Sequence, residues 1–466
     1  MRNICRYQDL LKLIIFISVN KMILKIFITC ILTLSFACAL SSQKKILEVY
    51  EVQKGETLQM IANKHHVTIE ELKLANPDIK KKKEGTKLSQ GYLLNIPVQD
   101  TQNILDSKKV TNLPNAIDTI KLAVILPFSG KGAIAERVLE YYRGLLIAGF
   151  AAKESGYVAI FNTIEEPNQN EPIIDSLVKV CSTKPNFLVG PLYPSHFQEV
   201  SNFVQAEKIR TLIPFSSRTT EVNENPFLYI LNTPDNIITE KSKQLFNNTF
   251  TKSSQIIIVR TPNPNKKSFI QEMENHWGAN KLSVNTLPSR YVAEDLVRVL
   301  HKTKQNIIML DGNDEKEAMF TLNSISEFKK QNPTYKISVL GYGEWQSFAM
   351  DESDLFFSTD TYLFSSDYYN AYNSGVITFE ERYFKWFEQY PKIHNPRMGE
   401  LGYDSGIYML NAIAIYGNKY IDQSFSADYL QTNLRFESFN SKGGYVNTGL
   451  IFIHYKPNRK IEIIQI

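Results

Sequence analysis

Short apolar runs alternate with longer amphipathic segments along most of the chain. The first run, Ile120 to Pro127, is followed by Glu136 to Lys153, whose apolar residues recur at helical spacing. Further short runs follow, each separated from the next by a helical pattern. Buried strands that alternate with helices are typical of parallel sheets. The pattern therefore predicts an α/β fold from residue 119 onward.

This alternation occurs in two series of similar size. The strands of the first lie near 120–127, 157–161, 187–190 and 211–214, and those of the second near 255–259, 306–310, 336–340, 450–453 and 461–464. Two series indicate two lobes with the chain crossing between them. We expect one lobe at about 119–232 and 364–435 and the other at about 233–363 and 436–466.

A smaller unit at residues 48–98 has a different order of elements. Residues 49–52 alternate as a strand does, and Thr57 precedes a helix that ends near Lys64. Thr68, followed three residues later by Glu71, has the form of a capping box for a second helix. With a closing strand near 91–97, the order is β-α-α-β. The polar stretch 99–118 then predicts a linker.

Residues 1–39 have the features of a leader. Lys21 and Lys25 precede the apolar run 26–36, and Ala37-Cys38-Ala39 has the small-residue form of a cleavage site. The run is short for a membrane span, which needs about 20 residues. We expect an exported protein of the periplasm or cell envelope.

Two features of this leader leave alternatives open. Met22 fits a signal peptide better as the start, but a second apolar patch, Leu10 to Val19, would allow a hairpin anchor. Cys38 would allow lipid anchoring, although Ser35 stands where a lipoprotein signal has Leu. Secretion without lipid is preferred.

Composition excludes several classes of protein. The 52 basic and 48 acidic residues leave a net charge of +4, far from the basic balance of a nucleic-acid-binding protein. Hydrophobic residues make up 43% of the chain, which excludes a disordered one. No zinc-ligand spacing occurs, so neither a metal nor a cofactor is expected. Cys181, on the apolar side of a predicted helix, is expected to be buried.

The motifs of the small unit extend over its whole length. Their residues are Tyr50, Val52, Gly55, Glu56, Thr57, Leu58, Ile61, Ala62, Leu72, Asn76, Pro77, Leu88, Gly91, Leu94, Ile96 and Pro97. The set resembles the LysM family, from which it departs by Glu56 in place of Asp and by a longer loop at 80–87. LysM modules bind N-acetylglucosamine-containing glycans, so the resemblance implies peptidoglycan as a partner. It places the glycan groove at Gly55, Glu56, Thr57, Asn76, Pro77, Asp78 and Ile79.

The motifs of the large unit are more diffuse but keep a characteristic order. They are the segments 126–130, 189–195, 212–217, 233–235, 402–405 and 443–447. Together they resemble the type I periplasmic-binding-protein family, especially the branched-chain amino-acid receptors that serve ABC transporters. The resemblance implies two lobes that close around a small ligand.

Ligands of open α/β sheets bind beyond the carboxyl ends of the strands. That rule selects the following candidate residues in the cleft: Ser129, Tyr193, Ser195, Ser216, Ser217, Arg218, Thr219, Glu344 and Trp345. Arg218 would pair with an anion and Glu344 with an ammonium group. Tyr193 and Trp345 would stack on an apolar part of the ligand. Arg218 and these two aromatic residues depart from the pattern expected of amino-acid receptors.

Catalytic motifs are absent from the sequence. The seven histidines show no HExxH spacing, and no Gly-x-Ser-x-Gly occurs. Three hypotheses remain. The first is a non-catalytic receptor that binds peptidoglycan and a small solute, amino-acid-like or a wall fragment. The second is a scaffold or regulator of cell-wall assembly that binds an envelope protein. The third and least supported is a wall hydrolase.

Overall fold

The computed structural model describes residues 45–64, 69–74, 76, 79, 82–83, 85–89, 93–99, 119–217, 220–251, 253–349, 351–371, 373–417 and 429–465. The predicted leader with Cys38, and the linker from residue 100 to 118, lie outside these residues. So do four candidate site residues, Pro77, Asp78, Arg218 and Thr219.

The small unit has the predicted β-α-α-β order. It comprises strand β1 (Lys45–Glu51), helices α1 (Leu58–Lys64) and α2 (Ile69–Leu74), and strand β2 (Leu93–Gln99). The two strands pair in a two-stranded sheet. Apolar side chains of both helices and of β2, among them Ile61, Leu72 and Leu94, form a separate small core and are fully buried.

The first lobe begins with a regular alternation of strands and helices. These elements are β3 (Thr119–Leu126), α3 (Ala133–Glu154), β4 (Val158–Glu165), α4 (Ile174–Thr183), β5 (Phe187–Val189), α5 (Phe197–Glu207), β6 (Arg210–Ile213) and β7 (Leu228–Ile230). All five strands are parallel to their neighbours, which is the arrangement that βαβ connections give.

The chain then crosses into the second lobe. Its elements are α6 (Asp235–Thr249), β8 (Gln255–Arg260), α7 (Lys267–Ala279), β9 (Ser283–Pro288), α8 (Ala293–Val299), β10 (Gln305–Leu310), α9 (Glu315–Gln331), β11 (Lys336–Tyr342), α10 (Gln346–Ala349), α11 (Ser353–Ser358) and β12 (Thr361–Ser365). These five strands are also parallel.

Two further crossings complete both lobes. Helices α12 (Ser374–Phe387) and α13 (Met398–Tyr416) and strands β13 (Phe436–Ser438) and β14 (Tyr445–Asn447) return to the first lobe. Strands β15 (Ile451–Tyr455) and β16 (Ile461–Gln465) then join the second, antiparallel to β12 and to each other. The prediction that residues 436–447 belong to the second lobe is wrong, because β14 pairs with β7.

Each lobe therefore contains a seven-stranded sheet that is mostly parallel. The strand orders are β13-β14-β7-β6-β5-β3-β4 in the first lobe and β16-β15-β12-β11-β10-β8-β9 in the second. The two-lobed α/β fold predicted from the sequence is confirmed.

Helices α3 and α13 pack against each other with their backbones in close contact. A side chain on Gly144 would overlap the backbone of Gly399, and one on Gly402 would overlap the carbonyl of Tyr141. Gly406 is similarly close to the side chain of Ala148. Only glycine permits this separation at the two backbone contacts. The contact joins the first segment of the lobe to the segment that returns from the second lobe.

We predict that Gly402→Ala lowers the free energy of unfolding by at least about 2 kcal/mol, because the added methyl group forces the two helices apart. The matched control is Gly278→Ala in α7, where an added Cβ meets no atom within 4 Å. The control should leave stability unchanged or raise it by up to about 1 kcal/mol. Thermal unfolding measures both. Equal effects of the two substitutions would contradict the packing argument.

Candidate functional site

A cavity of about 430 Å³ lies at the carboxyl end of the first-lobe sheet. All three crossovers between the lobes contribute to its wall, through residues 231–233, residues 366–367 and Asn447. Its volume falls within the range of small-molecule sites, about 300–1,000 Å³. A molecule in this cavity would touch every segment that connects the two lobes.

Most of the cavity wall is apolar. The residues involved are Ile134, Val138, Leu192, Phe215, Leu231, Pro396, Met398, Leu401 and Leu434. The first turns of α3 and α13 supply several of them, so the close packing of these two helices shapes the wall. Leu192 and Phe215 come from loops that follow β5 and β6.

Three polar residues of the wall are occupied in joining chain segments. The Asn447 amide donates to the carbonyl of Leu231 at 3.1 Å and accepts from the backbone N–H of Gly449 at 3.1 Å. The Thr233 hydroxyl donates to the carbonyl of Gly449 at 3.3 Å. The Thr432 hydroxyl donates to a carboxylate that lies behind the wall. Asn447 and Thr233 thus connect the first crossover to the third, and all three polar groups are already engaged in hydrogen bonds.

Three other polar side chains of the wall are available. Among the described residues, Arg137 and Asn232 have no side-chain hydrogen bond or ion pair, and Asp367 accepts only from the Ser366 hydroxyl, at 3.3 Å. Burial raises the pKa of Asp367 to about 6, and the negative charge of Glu344 contributes to the increase. The cavity therefore combines apolar walls with a small number of unsatisfied polar groups, as ligand sites commonly do.

The carboxylate behind Thr432 belongs to Asp404, which fixes the segment 430–432. It accepts from the backbone N–H groups of Leu430, Gln431 and Thr432 at 2.6, 3.1 and 3.0 Å, and from the Thr432 hydroxyl at 2.9 Å. Burial raises the pKa of Asp404 to about 6 even though these bonds lower it. Asp404 thus positions one side of the cavity without facing it.

Glu400, one turn before Asp404 on α13, is fully buried. Neither of its carboxylate oxygens has a hydrogen-bond partner among the described residues. The guanidinium of Arg397 lies 3.7 Å away, too far for a hydrogen bond, and stacks on the ring of Tyr369. Burial raises the pKa of Glu400 to about 7, because the loss of hydration outweighs the attraction of the positive charge on Arg397.

The raised pKa of Glu400 predicts a pH dependence of stability. The folded chain holds this proton up to about pH 7, whereas the unfolded chain releases it near 4.5, so stability falls as the pH rises between these values. The difference corresponds to about 3 kcal/mol. Glu400→Met should abolish the part of the pH dependence of stability that arises from Glu400. The variant should also be more stable than the parent at pH 8.

Chemical denaturation between pH 5 and 8 tests that prediction. The control is Glu381→Met, at an exposed position of α12, which should keep the parent profile. A Glu400→Met profile parallel to that of the parent would show that Glu400 is already ionised in the folded chain.

The described members of the predicted first-lobe cleft, Ser129, Tyr193, Ser195, Ser216 and Ser217, do not line the cavity. Ser129 donates through its backbone N–H and hydroxyl to Glu165, the latter at 2.6 Å. The backbone N–H of Tyr193 donates to Glu166, whose carboxylate also contacts His196 at 2.8 Å. Ser195 is exposed in a short 3₁₀ turn.

Ser216 and Ser217 are half-buried in the loop that follows β6. Neither belongs to the cavity wall, although their neighbour Phe215 does. The rule that ligands bind beyond strand ends selected the loops after β5 and β6, from which Leu192 and Phe215 line the cavity, but it did not select these two residues.

In the second lobe, Glu344 forms an ion pair with Lys266 at 2.6 Å. Trp345 is fully buried in the core of this lobe and packs on Tyr342 and Phe348. The expectation that Trp345 stacks on a ligand is therefore wrong: its ring is required by the core.

The described residues of the small unit include five of the seven predicted glycan contacts. Gly55 lies in an exposed turn with φ +88°. The Thr57 hydroxyl accepts from the backbone N–H of Met60 at 3.2 Å and so caps α1. Asn76 and Ile79 are 2% and 1% exposed, so their side chains present almost no surface to a ligand.

Glu56 connects β1 to α1. Its carboxylate accepts from the Tyr50 hydroxyl at 2.8 Å and from the Gln53 backbone N–H at 2.8 Å, and it pairs with Lys64 at 3.2 Å. These contacts, with the hydrogen bond to the Gln53 backbone largest among them, lower the pKa of Glu56, although burial opposes the change. The side chain of Glu56 is longer than that of Asp, and here it holds the turn that presents Gly55 and Thr57.

Sequence reasoning missed the three available cavity residues and misplaced Cys181. The segment 233–235 is one of the motifs of the large unit, and Asn232 directly precedes it, but nothing in the sequence distinguishes Arg137 or Asp367. Cys181 is exposed, because α4 directs it away from the core.

Within the described ranges, no group of three or more His, Cys, Asp or Glu side chains could hold a metal ion. The helices there include none that is long and apolar enough to span a membrane.

The LysM domain family model matches residues 50–83. The chain contains a LysM domain. This match covers both short helices and the turn at Gly55. No curated protein matches the chain.

Solved structures resemble the large unit. A protein described as a branched-chain amino acid ABC transporter from Rhodospirillum rubrum is 13% identical, with a TM-score of 0.51, over 74% of this chain and 100% of its own. A branched-chain amino acid ABC transporter periplasmic ligand-binding protein from Burkholderia xenovorans LB400 is 11% identical, with a TM-score of 0.46. This match covers 74% of this chain and 95% of that protein. Full-length LpoA from Haemophilus influenzae is 10% identical over 77% and 60%, with a TM-score of 0.47. The large unit has the type I periplasmic-binding-protein fold.

Proposed function

We propose that this chain is a non-catalytic envelope protein that attaches to peptidoglycan through its LysM domain and binds a small solute in the crossover cavity. The observation that carries the proposal is the cavity itself, which touches all three connections between the lobes and has unsatisfied polar groups on an apolar wall. A ligand in that position couples its binding to the relative position of the lobes.

The LysM domain supports the attachment. Because LysM modules bind peptidoglycan, we propose peptidoglycan as the glycan partner of this domain. The exposed turn at Gly55 and Thr57 is the part of the groove that we propose to contact the glycan. Pro77 and Asp78 complete the proposed groove. The leader of residues 1–39 supports export to the periplasm or cell envelope, where peptidoglycan lies.

A scaffold that binds an envelope protein is the second candidate. Two of the predicted cleft residues already have partners within their own lobe, Ser129 with Glu165 and Glu344 with Lys266. These pairs leave fewer polar side chains available to a solute in the predicted cleft than a receptor would present. The cavity favours the receptor, since a scaffold has no need to keep it open.

We predict that the intact protein co-sediments with purified peptidoglycan and that a chain without residues 46–99 does not. Oligomers of N-acetylglucosamine should compete, because LysM domains recognise this sugar. Retention of the truncated chain on peptidoglycan would place the binding surface outside the LysM domain.

We also predict that a solute raises the melting temperature of the intact protein, because it binds the folded state alone. Amino acids, small peptides and muropeptides form the first screen. Ile134→Trp should abolish the shift, since Ile134 lines the cavity and is 56% exposed, so a larger ring obstructs the entrance without disturbing the core.

The matched control for this variant is Val292→Trp, at a position in the second lobe that is 60% exposed and outside the cavity wall. It should leave the shift unchanged. Failure of every compound to shift the parent protein would favour the scaffold.

A further inference from the structure

The wall of the crossover cavity has one carboxylate, that of Asp367, and no cation lies within ion-pair distance of it among the described residues. The only hydrogen bond to the Asp367 carboxylate among the described residues comes from the neutral Ser366 hydroxyl, at 3.3 Å. Lys266, in the second lobe, is engaged by Glu344 at 2.6 Å and lies over the ring of Tyr342. The charge of Asp367 is therefore not neutralised by an ion pair within the described part of the chain.

Arg137, the cation on the same wall, has a different environment. Its side chain is exposed, whereas Asp367 is partly buried at the second crossover. A charge in water is well solvated and screened, but a carboxylate removed from water loses hydration that only a partner can replace. The loss of hydration therefore costs more free energy at Asp367 than at Arg137. A ligand cation that pairs with Asp367 consequently gains more binding free energy than an anion that pairs with Arg137.

The remaining polar group and the apolar wall fit the same kind of ligand. Asn232 lines the cavity with an amide that has no partner among the described residues, so its oxygen is available to accept a second N–H. The side chains of Met398, Leu401 and Leu434 provide apolar surface on the same wall. A molecule with one cationic end and a short apolar body satisfies all of these groups.

We propose that the crossover cavity binds a small primary amine, whose ammonium group pairs with Asp367 and Asn232 while its apolar part packs on Met398, Leu401 and Leu434. This inference rests on the proposed function, because it names the class of solute. It differs from the sequence prediction, in which Glu344 would hold the ammonium group, since Glu344 already has Lys266 as its partner.

The test uses three probes that share a 3-methylbutyl group and differ in the charge of the head group: 3-methylbutylamine, 3-methylbutanol and 4-methylpentanoate. Binding to the intact protein is measured by calorimetry at pH 8, where the carboxylate is ionised. The amine should bind at least tenfold more tightly than the alcohol, and the carboxylate probe should bind most weakly.

Asp367→Asn should weaken binding of the amine at least tenfold and leave binding of the alcohol unchanged. The control, Asp351→Asn, removes an exposed carboxylate outside the cavity and should change neither. If the alcohol or the carboxylate probe binds as tightly as the amine and Ile134→Trp abolishes that binding, solute binding stands and the cationic preference is refuted. If the amine does not bind, or binds Asp367→Asn as tightly as the parent, the inference fails.

Discussion

The close contact between α3 and α13 is the constraint on which the large unit depends. These helices lie more than 200 residues apart in the sequence, and they approach until their backbones touch at Gly144 and Gly402. The contact holds the segment that returns from the second lobe against the segment that began the first. The same returning segment also supplies β13 and β14, which pair beside β7 and complete the edge of the first sheet.

The same contact creates the site. The N-terminal parts of the two helices supply Val138, Met398 and Leu401 to the cavity, and Asp404 on α13 holds the segment 430–432 in place. The rest of the wall comes from the crossovers, which a two-lobed chain must have wherever it passes between sheets. The cavity is thus a consequence of the topology, and the few unsatisfied polar groups on its wall give it chemical selectivity.

The sequence predicted the features that depend on local periodicity. Alternating strands and helices, the two lobes and the LysM motif each extend over enough residues to be recognised. The position of residues 436–447 was missed because three-residue strands carry no information about which sheet they join. Trp345 was misread because an aromatic residue after a strand has the same local pattern in a core as in a cleft. Asp367 was missed because the absence of a cationic partner for it, among the described residues, is a property of the fold and not of its neighbours in the sequence.

We propose above all that the crossover cavity holds a solute. Native mass spectrometry of the protein, extracted from its own envelope under non-denaturing conditions, is the sharpest test of this proposal. We expect an adduct of small-molecule mass on the parent chain and none on Ile134→Trp. Parent protein that carries no adduct, and acquires none when incubated with a muropeptide and amine mixture, would contradict it.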